Sequence, residues 1–191
     1  MAKLFSALKI KDIVFKNRIF VSPMCQYSCE NGIPNSWHLV HLGTRAVGGA
    51  GLVIAEATAV SPEGRISPGD CGIWSDEQTE AFKSMTTFIK DQGAIPGIQI
   101  GHAGRKASTD LPWQGGLPLP NGDGGWQPIA PSPVAFDPSH TVPREMTEAD
   151  MDRVVAEFTM AAQRSLSAGF NVLELHMAHG LSLIHISEPT R

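Results

Sequence analysis

The sequence predicts an α/β fold: the N-terminal half of a (β/α)8 TIM barrel, about four strands, preceded by a short β-hairpin. Three observations predict it. Strand-like and helix-like stretches follow one another as strand, helix, strand, helix, strand, long loop, helix, strand. That alternation implies parallel strands with covering helices. No Gly-rich dinucleotide turn follows the first strand, which disfavours a doubly wound sheet. Reactive side chains sit just past every strand: Cys25, then Glu56 and Thr58, then His102 and Arg105, then His176 and His179. Barrel enzymes assemble their sites at that strand end.

Each element has a local reason. Leu8 and Ile10 alternate with lysines, Lys11-Asp12 can turn, and Val14-Phe15 return, which is a hairpin pattern. Ile19 to Val21 is a short apolar strand ending at Ser22-Pro23. Trp37 to Val47 is helix-like, with Leu39, Val40, Leu42 and Val47 apolar, and stops at Gly48-Gly49. Leu52 to Ile54 reads as a strand buried on both faces, leading into Ala55-Glu56-Ala57. Ser75 or Asp76 can cap the next helix, whose stripe is Phe82, Met85, Phe88 and Ile89, and Gly93 ends it. Ile95 to Ile100 is a third buried strand. Ser108 to Pro133 is rich in Pro, Gly and Trp and has no period, so it reads as a functional excursion loop. Thr147-Glu148-Ala149-Asp150 resembles a capping box. Met151, Val154, Val155, Phe158, Ala161 and Ala162 then recur at helical spacing up to Gly169. Val172 to Leu175 is a fourth buried strand.

The composition excludes several function classes. The 191 residues suffice for a domain with a core. The 42% hydrophobic and 18% charged residues are ordinary for a globular protein and argue against disorder. The formal net charge of -4, without a Lys/Arg-rich stretch, argues against a nucleic-acid or anionic-membrane partner. No apolar run approaches a membrane span. The start carries Lys3, Lys9 and Lys11 and lacks an apolar core, unlike a secretory signal. Cys25, Cys29 and Cys71 are too few for a disulfide scaffold, and a reducing cytoplasm is expected. Cys25 and Cys29 are four apart, not the usual zinc-knuckle spacing, and no metal is expected.

Three segments can carry chemistry. Ser22-Pro23-Met24-Cys25-Gln26-Tyr27 is either a turn presenting a thiol and a phenol to a pocket or a strand-end turn with a buried Cys. Tyr27 is the single tyrosine of the chain, so any phenolic role falls on it. In Gln99-Ile100-Gly101-His102-Ala103-Gly104-Arg105-Lys106, a strand-end Gln can read the edge of a planar heterocycle, since its amide donates and accepts. Arg105 and Lys106 are adjacent and make no shared anion clamp. In His176-Met177-Ala178-His179-Gly180, two imidazoles three apart can aim N–H groups at one carbonyl oxygen, or be structural. No third metal ligand stands at useful spacing. His38 and His41 fall inside a helical pattern and read as packing or surface histidines. Glu56 reads as a site carboxylate or a hydrogen-bonded structural one.

Taken together, Lys16-Asn17-Arg18, Ser22-Pro23-Met24-Cys25-Gln26-Tyr27, His102-Ala103-Gly104-Arg105-Lys106, Ile129-Ala130-Pro131-Ser132 and His176-Met177-Ala178-His179-Gly180 resemble the Old Yellow Enzyme family in order from Leu4 to Gly180. The Cys25/Tyr27 pairing is similar to its thermophilic-like branch of ene-reductases, which includes xenobiotic reductases. The resemblance implies a (β/α)8 barrel binding FMN without a covalent link. It implies that Ser22, Pro23, Met24 and Cys25 line the flavin, with Ala57 and Gln99 also touching the ring. His176 and His179, helped by Tyr27, would bind a substrate carbonyl. NAD(P)H would reduce FMN, and hydride would pass to the β-carbon of an α,β-unsaturated carbonyl. A homo-oligomeric parent protein is expected.

The chain departs from the family after Gly180. The resemblance implies a proton-donating Tyr next, and Leu181 stands there. Residues 181–191 resemble translated adapter or vector sequence and are expected to be a non-native tail, leaving 1–180 as the half barrel. A whole barrel takes eight strands and typically about 250 residues. The missing half would carry the FMN-phosphate site, so the isolated chain is expected to be unstable or self-associating, and inactive. Two rival readings are a cysteine hydrolase using Cys25 with a histidine, and a metal-binding module using His176 and His179.

Overall fold

The computed structural model describes residues 2–122 and 124–181. The expected foreign tail, apart from Leu181, lies outside the described residues. A hairpin opens the chain, β1 (Leu8–Ile10) pairing antiparallel with β2 (Ile13–Phe15). β3 (Phe20–Val21), β4 (Leu52–Ala59), β6 (Ile95–Gly101) and β9 (Val172–Leu175) then form one parallel sheet in that spatial order. β5 (Cys71–Gly72) adds to the C-terminal end of β4. The crossovers are α1 (Ser36–Val47), α2 (Asp76–Asp91) and α3 (Glu148–Ser167). Among the described residues no helix is long and apolar enough to cross a membrane.

All three helices start at reciprocal caps. Ser75 accepts from Gln78 N, and Thr147 accepts from Asp150 N. Both caps agree with the sequence signals. The cap of α1 carries no Glu or Gln: Asn35 accepts from Trp37 N, and the His38 ring accepts from Asn35 N at 3.1 Å. His38 is thus 2% exposed, a buried cap histidine rather than a surface one.

The two faces of the sheet obey the period-2 alternation of its strands. Val53, Ala55, Ile98 and Ile100 face outward, against Leu42 and Ala46 of α1, Phe82, Met85 and Ile89 of α2, and Ala161 of α3. Leu52 and Ile54 face inward, where Phe15 of the hairpin closes the end at which the strands begin. Each such Leu, Ile or Phe stabilises by about 1.5–3 kcal/mol on burial.

The fourth strand differs from its expectation. Leu173 is 41% and Leu175 50% exposed. Both point to the outer face, where among the described residues no helix comes after β9 to cover them. The long excursion also gains structure: β7 (Ile129–Ala130) pairs with β8 (Arg144–Glu145), and Trp126 Nε1 donates to Glu63 O at 2.9 Å.

A bulge in β4 positions the site. Ala55 pairs with Ile98 and Ala57 with Gln99, so Glu56 is an extra residue. Ala57 therefore returns to the inner face beside Gln99. Glu56 turns outward, toward α1.

Candidate active site

A cleft of about 490 Å³ opens at the C-terminal ends of the sheet. Ser22, Pro23, Cys25 and Tyr27 line it from the segment after β3, Ala57 from β4 and Gln99 from β6. His176 and His179 line it from the turn after β9, joined by Glu174, Lys106, Ile66 and Leu181. Eight of the nine residues expected from sequence thus share one cavity. Met24 is the exception: its side chain lies on the opposite side of the segment, with Gln26, His38, His41 and Glu56.

The backbone is held in costly conformations at two of these positions. Tyr27 (φ 50°) and His179 (φ 61°) are left-handed without being glycine, which costs on the order of 1 kcal/mol or more each. Gly69 allows the first: a Cβ there would lie 2.5 Å from the Tyr27 carbonyl oxygen. Tyr27 also meets the edge of Trp113, ring centres 6.1 Å apart.

Burial sets the ionisation of the cleft. It pushes the Cys25 thiol up to about 12, with Asp70 and Glu56 adding to the shift. The Tyr27 phenol is raised by burial and by the neighbouring Cys25 and Asp70. Asp70 is itself raised to about 6 by burial, against hydrogen bonds from Ser67 and Ile66. A neutral buried thiol is a poor nucleophile, which counts against a cysteine hydrolase. Burial lowers His176, and His179 lowers it further. His179 Nδ1 stands 3.3 Å from His176 Nε2. His176 is therefore a neutral N–H donor at ordinary pH.

Two polar cleft residues, Glu174 and Lys106, were not among the site residues read from the sequence. Glu174 accepts from Gln99 Nε2 at 2.5 Å. Its signal was a lone acid between Leu173 and Leu175, at the inward position of an alternating strand. Lys106 donates to the His179 carbonyl oxygen and so ties the histidine turn to the loop after β6. Its neighbour Arg105 turns away, to Ser132 Oγ at 3.1 Å. Leu181 is buried against Ala103 and Ala107 at the rim of the cleft.

Glu56 is not a cleft residue. Its Oε1 accepts from His38 Nε2 at 2.9 Å and from the Cys71 thiol at 3.0 Å, and its Oε2 accepts from the Gln26 N–H. It braces the Ser22–Tyr27 segment from behind. His102 is also buried outside the cleft, with Nδ1 accepting from Gly104 N at 3.0 Å. Burial lowers it to about 4.

Comparison with known proteins places the fold in a family. Residues 3–186 match the NADH:flavin oxidoreductase / NADH oxidase family. The chain belongs to that family. It is 48% identical over 187 residues to an NADPH dehydrogenase of Listeria welshimeri, covering 97% of this chain and 51% of the relative. An NADH:flavin oxidoreductase of Gibberella zeae is 42% identical over 191 residues, covering 98% and 46%. The Old Yellow Enzyme homologue of Zymomonas mobilis superposes with a TM-score of 0.79 at 30% identity, covering 94% of this chain and 49% of that one. The chain thus spans about half the length of the relatives it matches, as a four-stranded half of their barrel would.

The family's description pairs NADH with a flavin, whose reactive part is a flat ring. The cleft fits such a ring. Its walls are small and flat at Pro23 and Ala57, a neutral thiol stands at Cys25, and the Gln99 amide lies at the edge.

Proposed function

We propose that this chain supplies half of an FMN-dependent oxidoreductase that uses NAD(P)H to reduce the C=C bond of α,β-unsaturated carbonyls. One observation carries the reading: the ends of four parallel strands bring Cys25, Ala57, Gln99 and the His176/His179 pair to one cleft. Ser22, Pro23, Cys25, Ala57 and Gln99 hold the flavin, and Met24 takes part through its main chain. The chemistry a flavin supplies there is hydride delivery to the β-carbon of the substrate.

The chain's own residues do the rest. His176 and His179 aim N–H groups at the substrate carbonyl and stabilise the negative charge that develops on its oxygen. Their mutual contact opens to admit that oxygen. A preorganised donor of this kind contributes about 3–4 kcal/mol. Tyr27 supplies a neutral hydroxyl on the same side, since its raised pKa keeps the proton on. Leu181 offers no proton at the rim. The partner is a small molecule, the parent protein is a homo-oligomer, and three free cysteines fit a cytoplasmic setting.

The test uses this chain completed by the second half of the Listeria barrel. Reduced anaerobically with NADPH, it should be reoxidised by 2-cyclohexenone. Replacing His176 and His179 with alanine should slow that reoxidation by a factor of about 100 or more. Reoxidation that is indifferent to both histidines would overturn the assignment of the carbonyl site.

A further inference from the structure

Behind the cleft lies a second cluster that the proposed reaction does not use. Cys29 comes just after the Ser22–Tyr27 segment, His38 lies in the first turn of α1, Glu56 is the bulge residue of β4, and Cys71 opens β5. One donor atom of each lies within 4.8 Å of all the others, and all four residues are buried. Cys29 Sγ is 2.8 Å from Cys71 Sγ and 3.4 Å from His38 Nε2. Glu56 Oε1 closes the ring, 2.9 Å from His38 Nε2 and 3.0 Å from Cys71 Sγ.

We propose that Cys29, His38, Glu56 and Cys71 form a closed four-ligand site for a zinc-type divalent cation, pinning the flavin-lining segment to the barrel wall. The donor set is what such an ion takes: two thiolates, one imidazole and one carboxylate, all from buried residues. Bonds of 2.0–2.3 Å in a tetrahedron place donors roughly 3.3–3.8 Å apart. The His38 contacts need to open by a few tenths of an ångström, and the two sulfurs by about 1 Å.

The surroundings act as outer support. Glu56 Oε2 is held by the Gln26 N–H, which leaves Oε1 aimed into the cluster. His38 Nδ1 lies 3.3 Å from Asn35 Oδ1. Metal capture selects the tautomer that donates Nδ1–H to that oxygen and gives up the contact from Asn35 N. Binding releases the two thiol protons, and the imidazole proton passes from Nε2 to Nδ1.

Cobalt(II) is the probe, added to the reduced, metal-stripped chain completed by the second half of the Listeria barrel. One equivalent should give the visible d–d bands of tetrahedral cobalt and a near-ultraviolet thiolate charge-transfer band. One equivalent of zinc should abolish both. Cys71→Ser and His38→Gln should lose the signal, whereas Cys25→Ser, whose thiol lies in the cleft, should keep it. Far-UV circular dichroism checks that each variant retains the helices. Three results would overturn the proposal: no tetrahedral spectrum in the wild-type chain, binding that ignores His38→Gln, or a Cys29–Cys71 disulfide in the chain isolated without reductant, seen as a mass two hydrogens lower.

Discussion

The middle of the sheet and its β9 edge are built from similar residues and end in opposite environments. Val53, Ile98 and Ile100 are each fully buried, because β4 and β6 have a strand on either side and helices over their outer face. Leu173 and Leu175 have the same chemistry and face the same way, yet stand 41% and 50% exposed. Beside them an apolar hollow of about 130 Å³ lies between α3 and β9, lined by Ala162, Leu166, Phe170 and Leu173. Leu166 on α3 is itself 71% exposed. Burial here depends on whether a neighbouring strand and helix are present, not on residue type. The β9 edge has the form of a surface made to be covered by a further strand and helix.

The sharpest way to break this comparison is to supply the cover. Joining the chain to the second half of the Listeria barrel should turn a self-associating species without bound flavin into a yellow protein with a cooperative melt. Size-exclusion chromatography and visible absorbance read the change. A chain that is already monomeric, cooperative and yellow alone would show that the edge needs no cover.

Truncations should then separate the two regions within the completed barrel. Phe82→Ala removes a ring that is 1% exposed and stacks edge-on against Phe170 at 5.3 Å. It should cost about 3–5 kcal/mol in a urea melt. In the isolated chain, Leu175→Ala should shift apparent stability by less than about 1 kcal/mol, because half of that side chain is already wet. The same substitution should cost more once the edge is covered.

Acid should weaken the buried middle first. His102 has its pKa lowered to about 4 by burial, from an ordinary value near 6.5. The unfolded chain therefore binds a proton that the folded one refuses. The stability that neutral His102 allows is complete above pH 6.5 and lost as pH falls toward 4, by about 3 kcal/mol. Replacing His102 with Gln should flatten that part of the pH-stability curve. The cap of α3 gives a small effect in the completed barrel: Thr147→Ala should cost about 1 kcal/mol, read as a shift in denaturant midpoint.

The alternation, the caps of α2 and α3 and the residues beyond each strand were legible because they are local. Periodicity sets which face a strand side chain takes, and Cys25, Gln99, His176 and His179 sit where a barrel collects its tips. The Cys29, His38, Glu56 and Cys71 cluster was not legible, for two physical reasons. Its members come from four separate segments, so no spacing announces them. Glu56 also reaches the outer face only because a bulge breaks the β4 register, and the sequence carries no sign of that extra residue. The exposure of Leu173 and Leu175 escaped for a third reason: an apolar strand looks the same whether or not its partner is present.

The account rests on four strand ends enclosing one flat ring, and the visible spectrum of FMN in the completed barrel tests it most directly. Bound flavin should show a band shifted from that of free FMN, and Gln99→Leu should move the band again, because the proposed site sets its amide against the edge of the ring. A completed barrel that stays colourless with excess FMN, or a band indifferent to Gln99, would contradict the account.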